Sequence, residues 1–292
     1  MTDIHPGPLP DVTALRRCCT ALLSMGLLLM VATSAEANHR PPAEATAAQR
    51  DFSEEQQAQI GEIAANWLVE HPEYLVAASD RLRQQQQMAQ QQVLRTLAVQ
   101  NAAALLADDA PATGPREAKT AVVMFFDYQC ADCRKISSAV ARLHKENPAV
   151  RFIFREYPVF ASRWPVSGYA ARVGEAVWSA KGDDAYLGYH HALFEQDQGE
   201  GQLTPAMVNT AARAYLTQAQ LKQAEVGGNH NLWQQRIDKN MRLGASLQLP
   251  KVPALIVLPT ANASAENLTV ITAGGEEEAL RQAMVKVTST ER

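Results

Sequence analysis

The sequence predicts an α/β domain with a mixed sheet, interrupted by a long helical block and preceded by a helical arm. Apolar runs rich in Val, Phe and Ile at residues 121–128 and 151–157 flank a helix-favouring stretch. Such a strand–helix–strand unit implies parallel pairing. A mostly helical pattern follows at about 162–248. Two further apolar runs, at 254–258 and 268–273, then indicate a closing antiparallel hairpin before a last helix.

The N-terminus has the pattern of an export signal. Arg16 and Arg17 precede a short apolar run, and an Ala-Glu-Ala tripeptide ending at Ala37 follows it. A positive flank, an apolar core and an A-x-A site predict a cleaved signal peptide over residues 1–37 and export to the periplasm. The alternative is an uncleaved membrane anchor, but the run is shorter than the ~20 residues that a spanning helix needs. Residues 38–51 are rich in Pro, Ala and polar groups, and this composition predicts a flexible lead-in.

Residues 52–107 predict a helical arm, because Ala, Gln, Glu and Leu dominate them. Ser53 begins a capping-box pattern with an acidic first turn. Pro72 predicts the end of one helix and the first turn of the next. Residues 108–119 contain prolines and a glycine and predict a linker to the main domain at 120–290.

The apolar stripe of the arm leaves two interpretations open. Leu68, Leu75 and Leu82 repeat at intervals of seven, and a Gln-rich stretch follows them. The arm could be a helical hairpin packed on the main domain, or an oligomerisation arm that joins copies of the chain through residues 52–107.

The composition limits the function classes. With 47% hydrophobic and 20% charged residues, the chain resembles an ordinary globular protein. Because its formal net charge is -4 and its basic residues are scattered, we expect no nucleic-acid partner. Cleavage of the signal peptide would remove Cys18 and Cys19, which leaves Cys130 and Cys133 as the cysteines of the mature protein. An exported protein with one such pair does not need it for its own fold, so the pair is free to act on other proteins.

Cys130 and Cys133 form a C-x-x-C pair where an apolar strand ends and a helix begins. Unpaired N–H groups and the helix dipole favour the thiolate at such a position. The pattern predicts that Cys130 attacks and that Cys133, one turn further along, resolves the mixed disulfide. The competing interpretation is half of a metal site, but structural zinc takes four ligands and no second C-x-x-C is present. We therefore expect neither a metal nor a cofactor.

The chain also resembles a known family. Phe-Phe-Asp-Tyr-Gln-Cys at 125–130, the C-x-x-C pair, the helical insertion and Val-Pro-Ala-Leu-Ile-Val at 252–257 are similar to the DsbA-like thiol–disulfide oxidoreductases. The likeness covers about 120–288 and is strongest to the ScsC-type and DsbG-like periplasmic branch, whose helical N-terminal region the arm also resembles. It implies a thioredoxin fold with a cis proline at Pro253, preceded by Val252, facing the cysteines. A cis X-Pro bond can expose the preceding backbone to an extended substrate.

Two residues between the cysteines differ from that family, and a third residue nearby has more than one possible role. Ala131 and Asp132 stand between the cysteines, where members of the family often carry a proline followed by a histidine or an aromatic residue. A carboxylate beside the Cys130 thiolate opposes it, so we expect a less oxidising disulfide than in a strong oxidase. Asp127 could accept a proton, cap the helix start, or face solvent at the end of the strand.

The sequence thus predicts a periplasmic enzyme that exchanges thiols and disulfides with protein substrates and is reset by a membrane or periplasmic redox partner. If the chain forms an oligomer, we expect it to act as an isomerase, a reductase or a moderate oxidant. If it is a monomer, a DsbA-type oxidase is favoured. Two alternatives belong to other classes. One is a copper-binding dithiol protein of a metal-tolerance system, and the other is a non-catalytic chaperone or surface protein on the same scaffold.

Overall fold

The computed structural model describes most of the chain after the lead-in. The described residues are 52–196, 199–226, 231–272 and 277–290. The predicted signal peptide (1–37) and lead-in (38–51) lie outside them. The chain divides into two compact units, residues 1–63 and 64–292.

Apart from the short strand β1, the described helices and strands follow the predicted order. The helices are α1 Glu54–Glu70, α2 Pro72–Gln100, α3 Ala102–Leu105, α4 Ala131–Glu146, α5 Val166–Lys181, α6 Asp183–Phe194, α7 Pro205–Ala212, α8 Gln218–Val226, α9 Leu232–Ser246 and α10 Glu277–Thr290. The strands are β1 Ala112–Thr113, β2 Thr120–Phe126, β3 Arg151–Glu156, β4 Ala254–Pro259 and β5 Thr269–Ile271. Among the described residues, no helix combines the length and the apolar character needed to cross a membrane.

The described part of the first unit is the start of α1. The backbone N–H of Ser53 donates to Gln56 Oε1 at 3.0 Å, and the N–H of Gln56 donates to Ser53 Oγ at 3.3 Å. These two bonds form the predicted capping box, which satisfies N–H groups at the first turn that lack helical partners. All residues from 52 to 63 are exposed.

In the second unit the described strands form one five-stranded sheet in the order β1-β3-β2-β4-β5. Strand β2 lies in its centre, parallel to β3 and antiparallel to β4, and all seven of its residues are buried. A strand covered on both faces is a continuous apolar run, which explains the sequence pattern at this position. The parallel pair and the closing antiparallel hairpin are both confirmed.

The register of the sheet places two distant segments side by side. Phe125, near the end of β2, pairs with Ala254, the first residue of β4. Because the two strands run in opposite directions, the segment after β2 and the segment before β4 meet at the same edge. These segments carry Cys130 and Pro253.

Five helices, α5 to α9, form the predicted insertion. Helix α5 is its centre and contacts each of the other four, with ten buried residues. Helix α10 packs against β2, β4 and α4, and α4 also contacts α6 of the insertion. The helix that follows Cys130 is therefore held by α10 and by the insertion.

Residues 108–119, which the sequence predicts to be a linker, contain strand β1. Ala112 pairs with Ile153 of β3, and the N–H of Phe154 donates to the carbonyl of Pro111 at 2.9 Å. The pairing satisfies backbone groups at the outer edge of β3 that would otherwise lack partners. Asp109 reinforces the attachment with an ion pair to the buried Arg155 guanidinium at 2.6 Å. Two residues of strand among turn-forming neighbours are too short a pattern to predict from sequence.

The break between the two arm helices lies where the sequence predicts it, with α1 ending at Glu70 and α2 starting at Pro72. Helix α2 then divides into two parts. Its last turns bury Leu94 and Ala98, and the helix contacts β5. None of the residues from 64 to 93 is buried. The end of the arm thus packs on the domain, while its earlier part exposes its apolar side chains.

Candidate active site

Cys130 lies at the N-cap of α4, between the end of β2 and the first helical turn. Its backbone is extended (φ −86°, ψ 117°), and its Sγ accepts a hydrogen bond from the N–H of Cys133 at 3.2 Å. The helix N-terminus therefore directs an unpaired N–H group and the positive end of its dipole at this sulfur. The local prediction of a cysteine at a helix start is confirmed.

The structure gives the two cysteines different environments. Both are free thiols; Cys130 is 6% exposed, and Cys133 has no exposed surface. The pKa of Cys130 is lowered, chiefly by a hydrogen bond from the Cys133 side chain and further by the N–H groups of Cys133 and Asp132, against the effect of burial. Burial raises the pKa of Cys133 well above its usual range. Cys130 is thus the thiol suited to attack, and Cys133 remains protonated beneath it.

The predicted cis-proline segment faces the nucleophile. The Val252–Pro253 peptide bond is cis, and the Cys130 thiol donates to the carbonyl oxygen of Val252 at 3.7 Å. Sheet register alone brings these residues together, since Pro253 immediately precedes β4 and β2 immediately precedes the Cys130 segment. The expected juxtaposition of Val252, Pro253 and Cys130 is present.

Asp127 is buried, so the interpretation as a solvent-facing carboxylate is wrong. Its Oδ1 accepts from the N–H of Gln129 at 2.8 Å. Its Oδ2 accepts from the N–H of Phe160 at 2.9 Å and from Ser167 Oγ at 2.6 Å. These bonds join the turn before Cys130 to the insertion. Burial raises the pKa of Asp127, and its charge in turn opposes the Cys130 thiolate.

Asp132, which the sequence placed beside the thiolate, points into solvent. Its side chain is 55% exposed and forms an ion pair with Lys135 Nζ at 3.0 Å, one turn along the same helix. An exposed pair in water has a weak field at a neighbouring group. Asp127 is instead the carboxylate whose charge raises the pKa of Cys130.

A buried polar network beneath the site was missed by the sequence reasoning. The hydroxyls of Tyr128 and Tyr186 both donate to Glu156 Oε1, at 3.0 and 2.8 Å, and Ser137 Oγ lies 3.0 Å from His190 Nε2. Burial raises the pKa of Glu156 well above its usual range and lowers that of His190 well below it. A Glu at the end of a buried strand was the available signal. Because Tyr128 Oη also lies 3.4 Å from His190 Nδ1, the network ties β3, α4 and α6 together.

The described part of the chain offers few side chains that could bind a metal ion together. There, no cluster of three or more His, Cys, Asp or Glu side chains is arranged to hold an ion. A dithiol metal site would consequently rest on Cys130 and Cys133 alone among the described residues.

Comparisons with known proteins agree with this geometry. A family model described as thioredoxin matches residues 106–265. Crystalline BcfH of Salmonella enterica Typhimurium is 44% identical, covering 80% of this chain and 96% of that one, with a TM-score of 0.70. A linker-deletion mutant of Proteus mirabilis ScsC is 17% identical, covering 83% and 99% of the two chains, with a TM-score of 0.55. The thiol-disulfide exchange protein α-DsbA2 of Wolbachia pipientis is 18% identical, covering 68% and 98%, with a TM-score of 0.56. The last two likenesses are of fold, and none of the curated proteins matches the chain.

The unequal thiols give a first prediction. In the native reduced protein at pH 7, iodoacetamide should modify Cys130 and leave Cys133 unmodified, because only the thiolate reacts and Cys133 is buried and protonated. The midpoint of the Cys130 rate against pH should lie below that of the same residue in denaturant, since a lowered pKa keeps the thiolate present at lower pH. Mass spectrometry of the cysteine peptides measures both rates. Equal rates at the two residues in the native protein would contradict the assignment of roles.

Proposed function

This chain belongs to the thioredoxin family, in its DsbA-like form with a helical insertion, and we propose that it exchanges disulfides with protein substrates through Cys130 and Cys133. The observation that carries the proposal is the division of labour between the two thiols. One has a lowered pKa at a helix N-terminus, and the other, within hydrogen-bond reach, has a raised pKa in a dry interior. A nucleophile with a protected resolving thiol is what two-step exchange requires.

The proposed reaction is reversible. In the reducing direction, the Cys130 thiolate attacks one sulfur of a substrate disulfide; that S–S bond breaks, a mixed disulfide forms, and the second substrate sulfur leaves as a thiolate that takes up a proton. Cys133 then loses its proton and attacks the Cys130 sulfur. The mixed disulfide breaks, the Cys130–Cys133 disulfide forms, and the first substrate sulfur is released. The substrate gains the two electrons that the protein loses, and a redox partner must return the pair to its starting state.

The segment at Val252 and Pro253 is the proposed contact for the substrate backbone. The Val252 carbonyl lies 3.7 Å from the Cys130 sulfur, so a substrate strand that pairs with it would bring its own cysteine beside the nucleophile. Backbone pairing depends little on side chains, which suits an enzyme that accepts many protein substrates.

We propose export to the periplasm and a moderate rather than strong oxidising power. The predicted signal peptide supports the location, and the protein and redox partners would be those of that compartment, whether soluble or in the membrane. Two features support the moderate potential. No histidine lies between the cysteines, and the charge of Asp127 opposes the thiolate.

The exposed part of the arm supports self-association as a further part of the proposal. Leu75 and Leu82 are more than half exposed, and with the partly covered Leu68 they repeat at intervals of seven. A seven-residue apolar repeat is the pattern of helix seams between copies of a chain. Several active sites held on one assembly would favour isomerase or reductase work on misfolded proteins.

Cysteine variants test the exchange reaction. Cys130→Ser should lower the rate of refolding of scrambled ribonuclease by at least about a hundredfold, because the nucleophile is gone. Cys133→Ser should accumulate a mixed disulfide with the ribonuclease, visible on a non-reducing gel. Ser138→Ala, an exposed change on the same helix, is the matched control and should behave as wild type. Full activity of Cys130→Ser would refute the proposal.

The redox potential tests its direction. Titration of the pair against glutathione should give a value between those of a strong oxidase, about −120 mV, and thioredoxin, about −270 mV. Asp127→Asn should make the potential less negative by about 10 mV or more, because it removes the charge that opposes the Cys130 thiolate and so stabilises the reduced form. A wild-type value near the oxidising extreme would contradict the moderate assignment.

The mass of the protein in solution tests self-association through the arm. Sedimentation velocity of the mature protein should show a species larger than one copy. The double variant Leu75→Glu, Leu82→Glu should sediment as one copy, since charges replace the apolar seam. The control Gln84→Glu, Gln87→Glu adds the same charge to the side of the helix that faces away from the leucines and should leave the larger species intact. A wild-type protein that remains a single copy at high concentration would overturn this part.

A further inference from the structure

Gln129, directly before the nucleophile, has a side chain that is only half accounted for. The residue is 3% exposed, and its Oε1 accepts a hydrogen bond from the N–H of Leu203 at 3.2 Å. That N–H donor fixes which end of the amide is the oxygen, because a nitrogen there could not accept the bond. The Nε2 group is left buried, with no hydrogen-bond partner among the residues that the structure describes.

A buried amide N–H without a partner costs free energy, and in a native protein it calls for an explanation. The bond from the Leu203 N–H accounts for the oxygen of this side chain but not for its buried donor. The position beside Cys130 suggests that the donor serves the chemistry of that sulfur.

A small cavity adjoins both residues. Its volume is about 10 Å³. Its described walls are Tyr128, Gln129, Cys130, Ala131, Arg134, Phe194 and Gly199. A space of this size admits about one water molecule and is too small for a substrate side chain. A water there needs at least two polar partners, and Gln129 and Cys130 are both among the residues of the walls.

We propose that Gln129 is a positioning residue whose Nε2 holds one water molecule against the Cys130 sulfur. The water accepts a hydrogen bond from the amide and donates one to the sulfur. The inference deepens the proposed function by adding a third donor to the nucleophile, besides the Cys133 thiol and the N–H groups of the helix start. It explains how the thiolate is supported without a histidine in the C-x-x-C sequence.

The other groups that face Cys130 set the background for a test. The Asp127 carboxylate at the end of β2 opposes the thiolate, and the Cys133 side chain in α4 supports it. Arg134 lines the same cavity, and the segment before β4 presents the Val252 carbonyl. None of these groups is replaced in a Gln129 variant. Because Gln129→Met also removes the Oε1 acceptor of the Leu203 N–H, the titration is paired with a crystal structure of the wild-type protein.

The test is the pH profile of Cys130 alkylation by iodoacetamide in the reduced mature protein. Gln129→Met removes the donor at similar length and should raise the Cys130 pKa by about one unit, which is roughly a tenfold loss of thiolate at lower pH. The control Gln218→Met changes an exposed glutamine of α8, outside the walls of this cavity, and should leave the profile unchanged. An unchanged profile in Gln129→Met would overturn the proposal.

A crystal structure of the wild-type protein gives a second measurement that does not depend on the variant's folding. At a resolution that shows ordered water, one molecule should lie within hydrogen-bond distance of both Gln129 Nε2 and Cys130 Sγ, and a dry cavity would refute the inference. Neither measurement uses turnover. A protein inactive on scrambled ribonuclease but with the water and the shift would refute the proposed function and retain this inference.

Discussion

Strand β2 lies between β3 and β4 with every residue buried, and the site is placed by where this strand ends. The parallel partner β3 holds it on one side. The antiparallel partner β4 begins opposite Phe125, so the Val252–Pro253 segment has to lie next to the segment that carries Cys130. A slip of one residue in this pairing would shift the Val252–Pro253 segment along the edge of the sheet relative to Cys130. The register of the sheet therefore sets the geometry of the sulfur chemistry.

One helix start then separates the properties of two chemically identical thiols. Cys130, at the N-cap, receives N–H groups and the positive end of the dipole. Cys133, within the first turn, is enclosed by the core and lacks compensation for a charge. The hydrogen bond between them acts in opposite senses on the two pKa values, because the proton that stabilises the Cys130 thiolate is the one that Cys133 keeps. Burial and helix geometry thus assign the roles without a further catalytic side chain.

Features of the fold and the site that depend on local sequence patterns could be predicted from the sequence. Features that depend on tertiary contacts could not. The C-x-x-C pair at a strand–helix junction, the capping box at Ser53 and the break at Pro72 depend on local patterns, and the structure contains them. The interpretation of Asp132 was less useful, because its partner Lys135 and its exposure could not be weighed without the fold. Gln129 gave no signal, since only its contact with the loop at Leu203 shows that its amide is half satisfied.

The positions of the polar side chains suggest which residues control the reactivity of this site. Between the cysteines, Ala131 has no polar side chain, and the Asp132 carboxylate is directed to Lys135 in solvent, where its field is weak. Before the cysteines, Asp127, Tyr128 and Gln129 are all buried. Interactions in a low dielectric are strong, so the charge of the buried Asp127 before the motif affects the Cys130 pKa more than the charge of the exposed Asp132 inside it. Comparing such proteins by their C-x-x-C dipeptide alone would overlook the buried side of the site, where this chain has concentrated its polar groups.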